Sequence, residues 1–336
     1  MAARIGIGLV GAGRMGSTHA RILARGMPEA ALAGIADVDL AAARRLADEV
    51  GVEIAVGSVE ELLAAPGVDA LLVAVSTHQH VAVVEAAAAA GRDVLCEKPL
   101  ALTLADTDRA IAAAGRAGIR LQVGFMRRWD ADYRRAHERV TAGAIGRAAL
   151  FKSLQYDTEL PPLAFCDPAV SGGIMVDMGI HEFDLARWLT GDEVVEVHAY
   201  GSCLVHPELA AVGDVDNAVV DLRFAGGAVG SVELSRDAVY GEDVRTEVLG
   251  TAGSVFVGLL PNAPSVLGTP GRLEADTVPS SMTRFAPAFA EQVRGFARAI
   301  LDDRPVAVDG RDSRAALAIA LAADASWREG RPVRVG

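Results

Sequence analysis

The sequence predicts an α/β chain of two domains. The first is a doubly wound parallel sheet; the second is an α+β domain with a large, mostly antiparallel, open-faced sheet carrying its helices on one side. Three observations predict it. A length of 336 residues accommodates two ordinary cores. Short apolar strands alternate with helical patterns through the first third of the chain, the signature of a parallel sheet covered on both faces. From Gly124 onward β-branched alternation takes over. The expected domains are therefore residues 1–123 and 124–336.

Taken in order, residues 5–10 (IGIGLV) read as a buried strand, and residues 11–16 (GAGRMG) open an amphipathic helix that runs through Ile22 and Leu23. A second strand over 32–36 ends at Asp37, and 41–50 is helical in pattern. Residues 71–75 (LLVAV) form another apolar strand. The alanine-rich run 81–90 favours helix, and Gly91 stops it at the C′ position. A strand over 94–96 leads into Glu97-Lys98-Pro99. In the second domain, 194–200, 218–224, 228–234 and 244–249 alternate as strands, with Gly226-Gly227 as a hairpin turn. Helical pattern there is confined to 130–141, the stretch after Asp177, 289–301 and 313–328.

Composition excludes several classes. About half the residues are apolar and a quarter charged, as in ordinary globular proteins. A net charge of -12 with no Lys/Arg stripe argues against nucleic acid as a partner. Three widely spaced cysteines, Cys96, Cys166 and Cys203, suggest neither a disulfide framework nor a cysteine metal site. The apolar run after Arg4 is short and flows directly into the glycine loop, so it reads as a strand rather than a leader. No stretch is apolar enough to span a membrane. These features together lead us to expect a cytoplasmic protein.

The glycine loop carries the first chemistry. A lone GxGxxG is weak, but here it follows a strand, opens a helix and is followed 21 residues after Gly16 by an acid at a strand end. Gly11 permits the tight turn, Gly13 lets the backbone approach a pyrophosphate, and Gly16 lets helix and strand pack closely. The helix N-terminus at Arg14 and Met15 offers N–H groups to phosphate. Asp37 accepts hydrogen bonds from a ribose 2′-hydroxyl and repels a 2′-phosphate, which favours NAD over NADP. The bland alternative is a glycine turn with no ligand. Arg44 and Arg45 read as a solvated face.

Two further clusters stand out. Glu97-Lys98-Pro99 follows a strand end, where open α/β sheets place ligands, although a lysine there can also be a surface cation. Ser171-Gly172-Gly173 precedes Asp177, His181 and Asp184, whose spacings of four and three predict one helical face. That stripe could suit a metal, but a single His outside an H-E-x-x-H pattern leads us to expect none.

These motifs, with Gly124-Phe125-Met126-Arg127-Arg128, make the chain resemble the Gfo/Idh/MocA oxidoreductases over nearly its full length, and within them the inositol 2-dehydrogenases. The resemblance implies an NAD-dependent dehydrogenase that oxidises a secondary hydroxyl of a cyclitol such as myo-inositol. It implies Lys98, Asp177 and His181 as catalytic residues. Histidine titrates near neutrality and can take the hydroxyl proton, Lys98 can stabilise charge growing on the oxygen, and Asp177 can orient either partner. It also places Ser76, Thr77, His80, Glu97, Lys98 and Met126 at the cofactor. Arg127, Asp157 and Glu242 join Lys98, Asp177 and His181 at the substrate, and a homodimer or homotetramer is implied by analogy. Against the pattern, Glu242 and Phe289 stand where inositol enzymes often carry tyrosine. A buried carboxylate at 242 would favour a cationic group, which raises an aminocyclitol or amino sugar as the alternative. Alternatives of another class are an NAD-dependent glycoside hydrolase and a non-catalytic NAD- or sugar-binding protein.

Overall fold

The structure, a computed structural model, describes residues 4–259 and 266–336. Its elements in chain order begin with β1 (Ile5–Val10), α1 (Arg14–Ala24), β2 (Ala30–Ala36), α2 (Leu40–Val50), β3 (Ala55–Val56), α3 (Val59–Ala64), β4 (Ala70–Val73), α4 (Thr77–Ala89), β5 (Asp93–Cys96), α5 (Leu104–Ala117) and β6 (Leu121–Val123). There follow α6 (Ala131–Thr141), β7 (Ala148–Tyr156), α7 (Leu163–Cys166), α8 (Pro168–Ser171), α9 (Gly173–Asp177), α10 (Gly179–Thr190), β8 (Val194–Ser202), β9 (Asn217–Phe224) and β10 (Val229–Ser235). The chain ends with β11 (Asp243–Gly250), β12 (Ser254–Val257), β13 (Val266–Thr269), β14 (Arg272–Ala275), α11 (Ser281–Arg284), α12 (Ala286–Leu301), α13 (Gly310–Glu329) and β15 (Val333–Arg334).

Two compact units emerge: residues 1–129 with 287–314, and residues 130–286 with 315–336. A single cut at residue 123 is too simple, because the chain returns to the first unit. The reason is apolar burial. Val293, Phe296 and Ala297 of α12 complete a core formed with Ile7 and Leu9 of β1, Leu23 of α1 and Ile35 of β2.

The first unit is a Rossmann sheet of six parallel strands in the order β3-β2-β1-β4-β5-β6. Strand order reverses between β1 and β4, which opens a crevice at the carboxyl ends of the strands. Full burial of β4 explains its unbroken apolar run. Helix ends follow local chemistry: Asp39, Ser58 and Thr103 cap α2, α3 and α5 through their side chains, and Gly51 and Gly118 close α2 and α5 in the left-handed region.

The second unit is built on a seven-stranded sheet, β12-β11-β7-β10-β9-β8-β15. Its neighbours are antiparallel except for the parallel pair β7 and β10. Strict alternation along β9 buries Ala218, Val220, Leu222 and Phe224 on one side. The opposite face leaves Val219, Val229, Leu249 and Phe256 between 41% and 51% exposed. Among the described residues, no helix is long and apolar enough to cross a membrane.

Candidate active site

In the first unit the glycine loop lies between β1 and α1 with the geometry a dinucleotide needs. Gly11 has φ +102, and its N–H is held by the Ala36 carbonyl at 2.8 Å. A Cβ at Gly16 would stand 1.8 Å from the Gly11 oxygen, so only glycine allows this approach of helix to strand. A Cβ at Gly13 would meet no atom within 4 Å, and Gly13 is the N-cap of α1, with Arg14 and Met15 as the first helical residues. That open approach to the unpaired N–H groups of a helix N-terminus fits a pyrophosphate. At the end of β2, Asp37 accepts from the Ala12 N–H at 2.7 Å and the Asp39 N–H at 2.8 Å, which fixes its carboxylate beside the loop. Gly11, Gly13, Arg14, Met15 and Asp37 are thus gathered in one place.

Beyond β4, Ser76 caps α4 by position and is exposed, and Thr77 starts the helix. His80 departs from the expected cofactor contact. It is 1% exposed, with Nδ1 2.9 Å from the Pro99 carbonyl and Nε2 3.1 Å from that of Val75. Burial pushes its imidazole below the ordinary range, with the two carbonyls acting in the other direction. The neutral ring carries one N–H and donates to one of these carbonyls, the Pro99 oxygen being the nearer, while lying between the loop after β4 and the loop after β5.

Glu97 and Lys98 follow β5. Glu97 Oε1 lies 2.6 Å from His19 Nε2 on α1, and Oε2 accepts from the Lys98 N–H at 3.3 Å. His19 is fully buried and lies edge-to-face with Phe289 of α12, centroids 5.9 Å apart. Its Nδ1 has no partner among the described residues. Nε2 is the ring nitrogen that faces the carboxylate, and a proton carried there donates to Glu97. Burial is the largest influence and opposes ionisation of Glu97, but His19 and Lys98 together outweigh it and hold the carboxyl below its usual range. Gly124, just past β6, lies against the same carboxylate. Met126 and Arg127 begin a short 3-10 turn and are 6% and 2% exposed. The Cys96 thiol, buried beneath this site, is pushed well up in pKa by burial and is chemically quiet.

In the second unit the expected single helical face is broken. Asp177 is the last residue of α9, Met178 interrupts, and His181 lies in the first turn of α10. The hydrogen-bond pattern shows why: Met178 N–H reaches Ile174 four residues back, whereas His181 N–H reaches Met178, three residues back, at 3.2 Å, a tightened turn. Gly172 and Gly173, both at positive φ, start this segment where a Cβ would strike Val176 and Asp214. His181 is 5% exposed and Asp184 1%. Asp177 Oδ2 accepts from Arg236 Nη1 at 3.3 Å. Asp157 follows β7 and accepts from Gln155 Nε2 at 2.9 Å.

Glu242 is 8% exposed. It lines a cavity of about 390 Å³ with Asp132, Tyr240, Asp243, Arg245, Thr277 and Arg284, and neither Asp177 nor His181 lines it. Arg245 and Arg284 in that lining are held by other carboxylates, Arg245 by Asp243 at 2.9 Å and Arg284 by Asp130 at 2.8 Å. Among the described residues there is no cluster of three or more His, Cys, Asp or Glu able to hold a metal.

Sequence reasoning missed His19, Asp214 and Arg236. The signal was present for two of them. His19 occupies a buried position of α1 in step with Gly16, Ala20 and Leu23, and Arg236, just past β10, continues the inward alternation of Val232 and Leu234. A polar group where the period demands an apolar one is informative.

Comparison with known proteins adds the context. Residues 5–125 match a family model described as oxidoreductase family, NAD-binding Rossmann fold, and residues 133–256 match one for the GFO/IDH/MocA C-terminal domain. The chain is 40% identical over 330 residues to a myo-inositol 2-dehydrogenase of Thermotoga maritima, covering 98% of each chain. It is 36% identical to a scyllo-inositol 2-dehydrogenase (NAD(+)) of Bacillus subtilis, covering 97% of this chain and 95% of that one. A solved scyllo-inositol dehydrogenase of Lactobacillus casei, with bound NAD(H) and scyllo-inositol, superposes with a TM-score of 0.92 at 28% identity over 99% of both chains.

Proposed function

This chain belongs to the Gfo/Idh/MocA family as an NAD-dependent oxidoreductase acting on CH–OH groups, and on that premise we propose that it oxidises a secondary hydroxyl of a cyclitol such as myo-inositol to the ketone. What carries the proposal is the joint presence of the glycine loop, Lys98 and the Asp177 and His181 pair in a chain alike from end to end to inositol dehydrogenases. Bound NAD supplies the acceptor for the hydride leaving the carbinol carbon.

The chain's own residues do the rest. The N-terminus of α1 binds the pyrophosphate, Asp37 takes the ribose hydroxyls and disfavours a 2′-phosphate, and Ser76, Thr77, Glu97 and Met126 shape the rest of the cofactor site. His181 accepts the hydroxyl proton as the C–H bond breaks, and Lys98 donates a hydrogen bond to the same oxygen. Asp177 orients His181 or the hydroxyl, and Arg127 and Asp157 contact the ring. The alternative is an aminocyclitol or amino sugar, which rests on the buried Glu242 carboxylate beside arginines that other carboxylates hold. The exposed Val219, Val229, Leu249 and Phe256 support pairing of the open sheet face into a homodimer or homotetramer, and three free thiols are in keeping with the cytoplasm.

The test is NADH formation across inositols, aminocyclitols, aldoses and glycosides. We expect turnover with an inositol, lowered by about 10²-fold or more in Lys98→Ala and His181→Ala. Full turnover by both variants would refute the mechanism. Glycoside cleavage without net NADH, or NAD binding with no turnover, would replace the dehydrogenase by a hydrolase or a binding protein.

A further inference from the structure

We propose that Arg236 and Asp214 are positioning residues that hold the Asp177 carboxylate in its working orientation. The proposal rests on the catalytic role given to Asp177 above. Arg236 follows β10 at an inward position and its side chain is 1% exposed. A guanidinium so buried needs partners, because an unpaired charge in the interior is strongly destabilising. It has two: Nη1 lies 3.3 Å from Asp177 Oδ2, and Nη2 lies 2.8 Å from Asp214 Oδ2.

Asp214 is itself fixed. Its Oδ1 accepts from the Ile174 N–H at 2.9 Å, its own N–H is held by the Leu209 carbonyl at 3.1 Å, and its carbonyl accepts from Cys203 Sγ at 3.1 Å. Gly173 leaves room for this arrangement, since a Cβ there would come within 2.9 Å of Asp214 Oδ1. A ring therefore closes around α9. Asp214 grips the helix at Ile174, Arg236 grips Asp214, and the other arm of the same guanidinium reaches Asp177 at the helix's last position.

The two carboxylates are not equivalent. Asp214 is 3% exposed and makes the shorter contact; Asp177 is 18% exposed and makes the longer one. Asp214 is the anchor and Asp177 the working end. Burial works against the charge on Arg236, and Asp177 and Asp214 outweigh it, so the guanidinium stays charged. A planar fork reaches the two carboxylates from fixed, separate nitrogens, a geometry that the single nitrogen of a lysine ammonium does not reproduce.

A double-mutant cycle between positions 236 and 177 tests this. Arg236→Met is expected to lower kcat on the best polyol by about 30-fold or more, while KM and the NAD dissociation constant stay within about twofold. In an Asp177→Asn background the same substitution should cost less than about threefold, because Arg236 acts through Asp177. Asp214→Asn should fall between the two, and Arg236→Lys should recover only part of the loss. If Arg236→Met does not fold, Arg236→Lys and Asp214→Asn carry the cycle. Additive losses, or a fall in NAD affinity that matches the fall in kcat, would make Arg236 merely structural and overturn the proposal. A wild-type chain that reduces no NAD with any polyol would instead overturn the function on which the proposal rests.

Discussion

Gly124→Ala is the smallest change that loads the hub beneath Lys98. A methyl group built at this position would lie 2.7 Å from Glu97 Oε2, 3.0 Å from its Cδ and 3.1 Å from its Cα. Glu97 has little room to retreat. Its Oε1 is held at 2.6 Å by His19, its Oε2 receives the Lys98 N–H, and the third contact is backbone. Overpacking of this kind costs about 1–3 kcal/mol. Alanine returns about 0.4–1 kcal/mol by narrowing the unfolded ensemble. The net loss is then about 1–2 kcal/mol, and for a unit of this size each kcal/mol moves Tm by about 2–4 °C. Melts followed by circular dichroism should show a drop of about 2–8 °C in the transition that saturating NAD raises, which identifies the first unit in a chain that need not unfold in one step. In a Glu97→Ala background two of the three contacts are gone, and the same methyl group should cost much less. A Gly124→Ala protein as stable as the wild type would show that Glu97 is not clamped.

Two further outcomes follow from the same unit. Glu97 is held below the ordinary 4.5, with burial opposing ionisation and His19 and Lys98 together outweighing it. A depressed carboxyl adds stability above its unfolded value and loses it as pH falls through the folded one. The Tm advantage of wild type over Glu97→Gln should therefore be full near pH 6 and shrink below about pH 4.5; an advantage that grows toward acid would contradict it. Asp37→Ala should weaken NAD binding about tenfold, the worth of one charge-assisted hydrogen bond, and improve the ratio for NADP. Fluorescence titration with both cofactors reads this, and an unchanged ratio would remove Asp37 from cofactor choice.

Legibility in the sequence followed locality and chemical type. The run from β1 through the glycine loop and α1 to Asp37 was readable because every signal in it is short-range: an apolar strand, a positive-φ glycine, an amphipathic helix, an acid at a strand end. β7 escaped notice because its inward positions include Ser153 and Gln155, so the expected apolar alternation is missing. Those polar groups are satisfied only through tertiary structure, Ser153 by Glu182 and Thr246, and Gln155 by Asp157. The break at Met178 was equally hidden, since spacings of four and three fit an unbroken helix. His80 was expected at the cofactor by resemblance, yet its ring is buried between two backbone carbonyls 24 residues apart in sequence. Of the candidate site, the motif residues were legible; the partners that hold them, His19, Asp214 and Arg236, came from distant elements.

The return of α12 to the first unit has a consequence for how the protein is made. A ribosome that has finished β6 has released every strand of the parallel sheet, but not Val293, Phe296 and Ala297, which cover part of that core. The sheet must wait, with that apolar flank bare, while more than a hundred further residues are synthesised and the second unit takes shape. The dinucleotide-binding unit, first in sequence, is thus closed only after most of the second unit has been made, and nascent chains of intermediate length are the ones most in need of a chaperone.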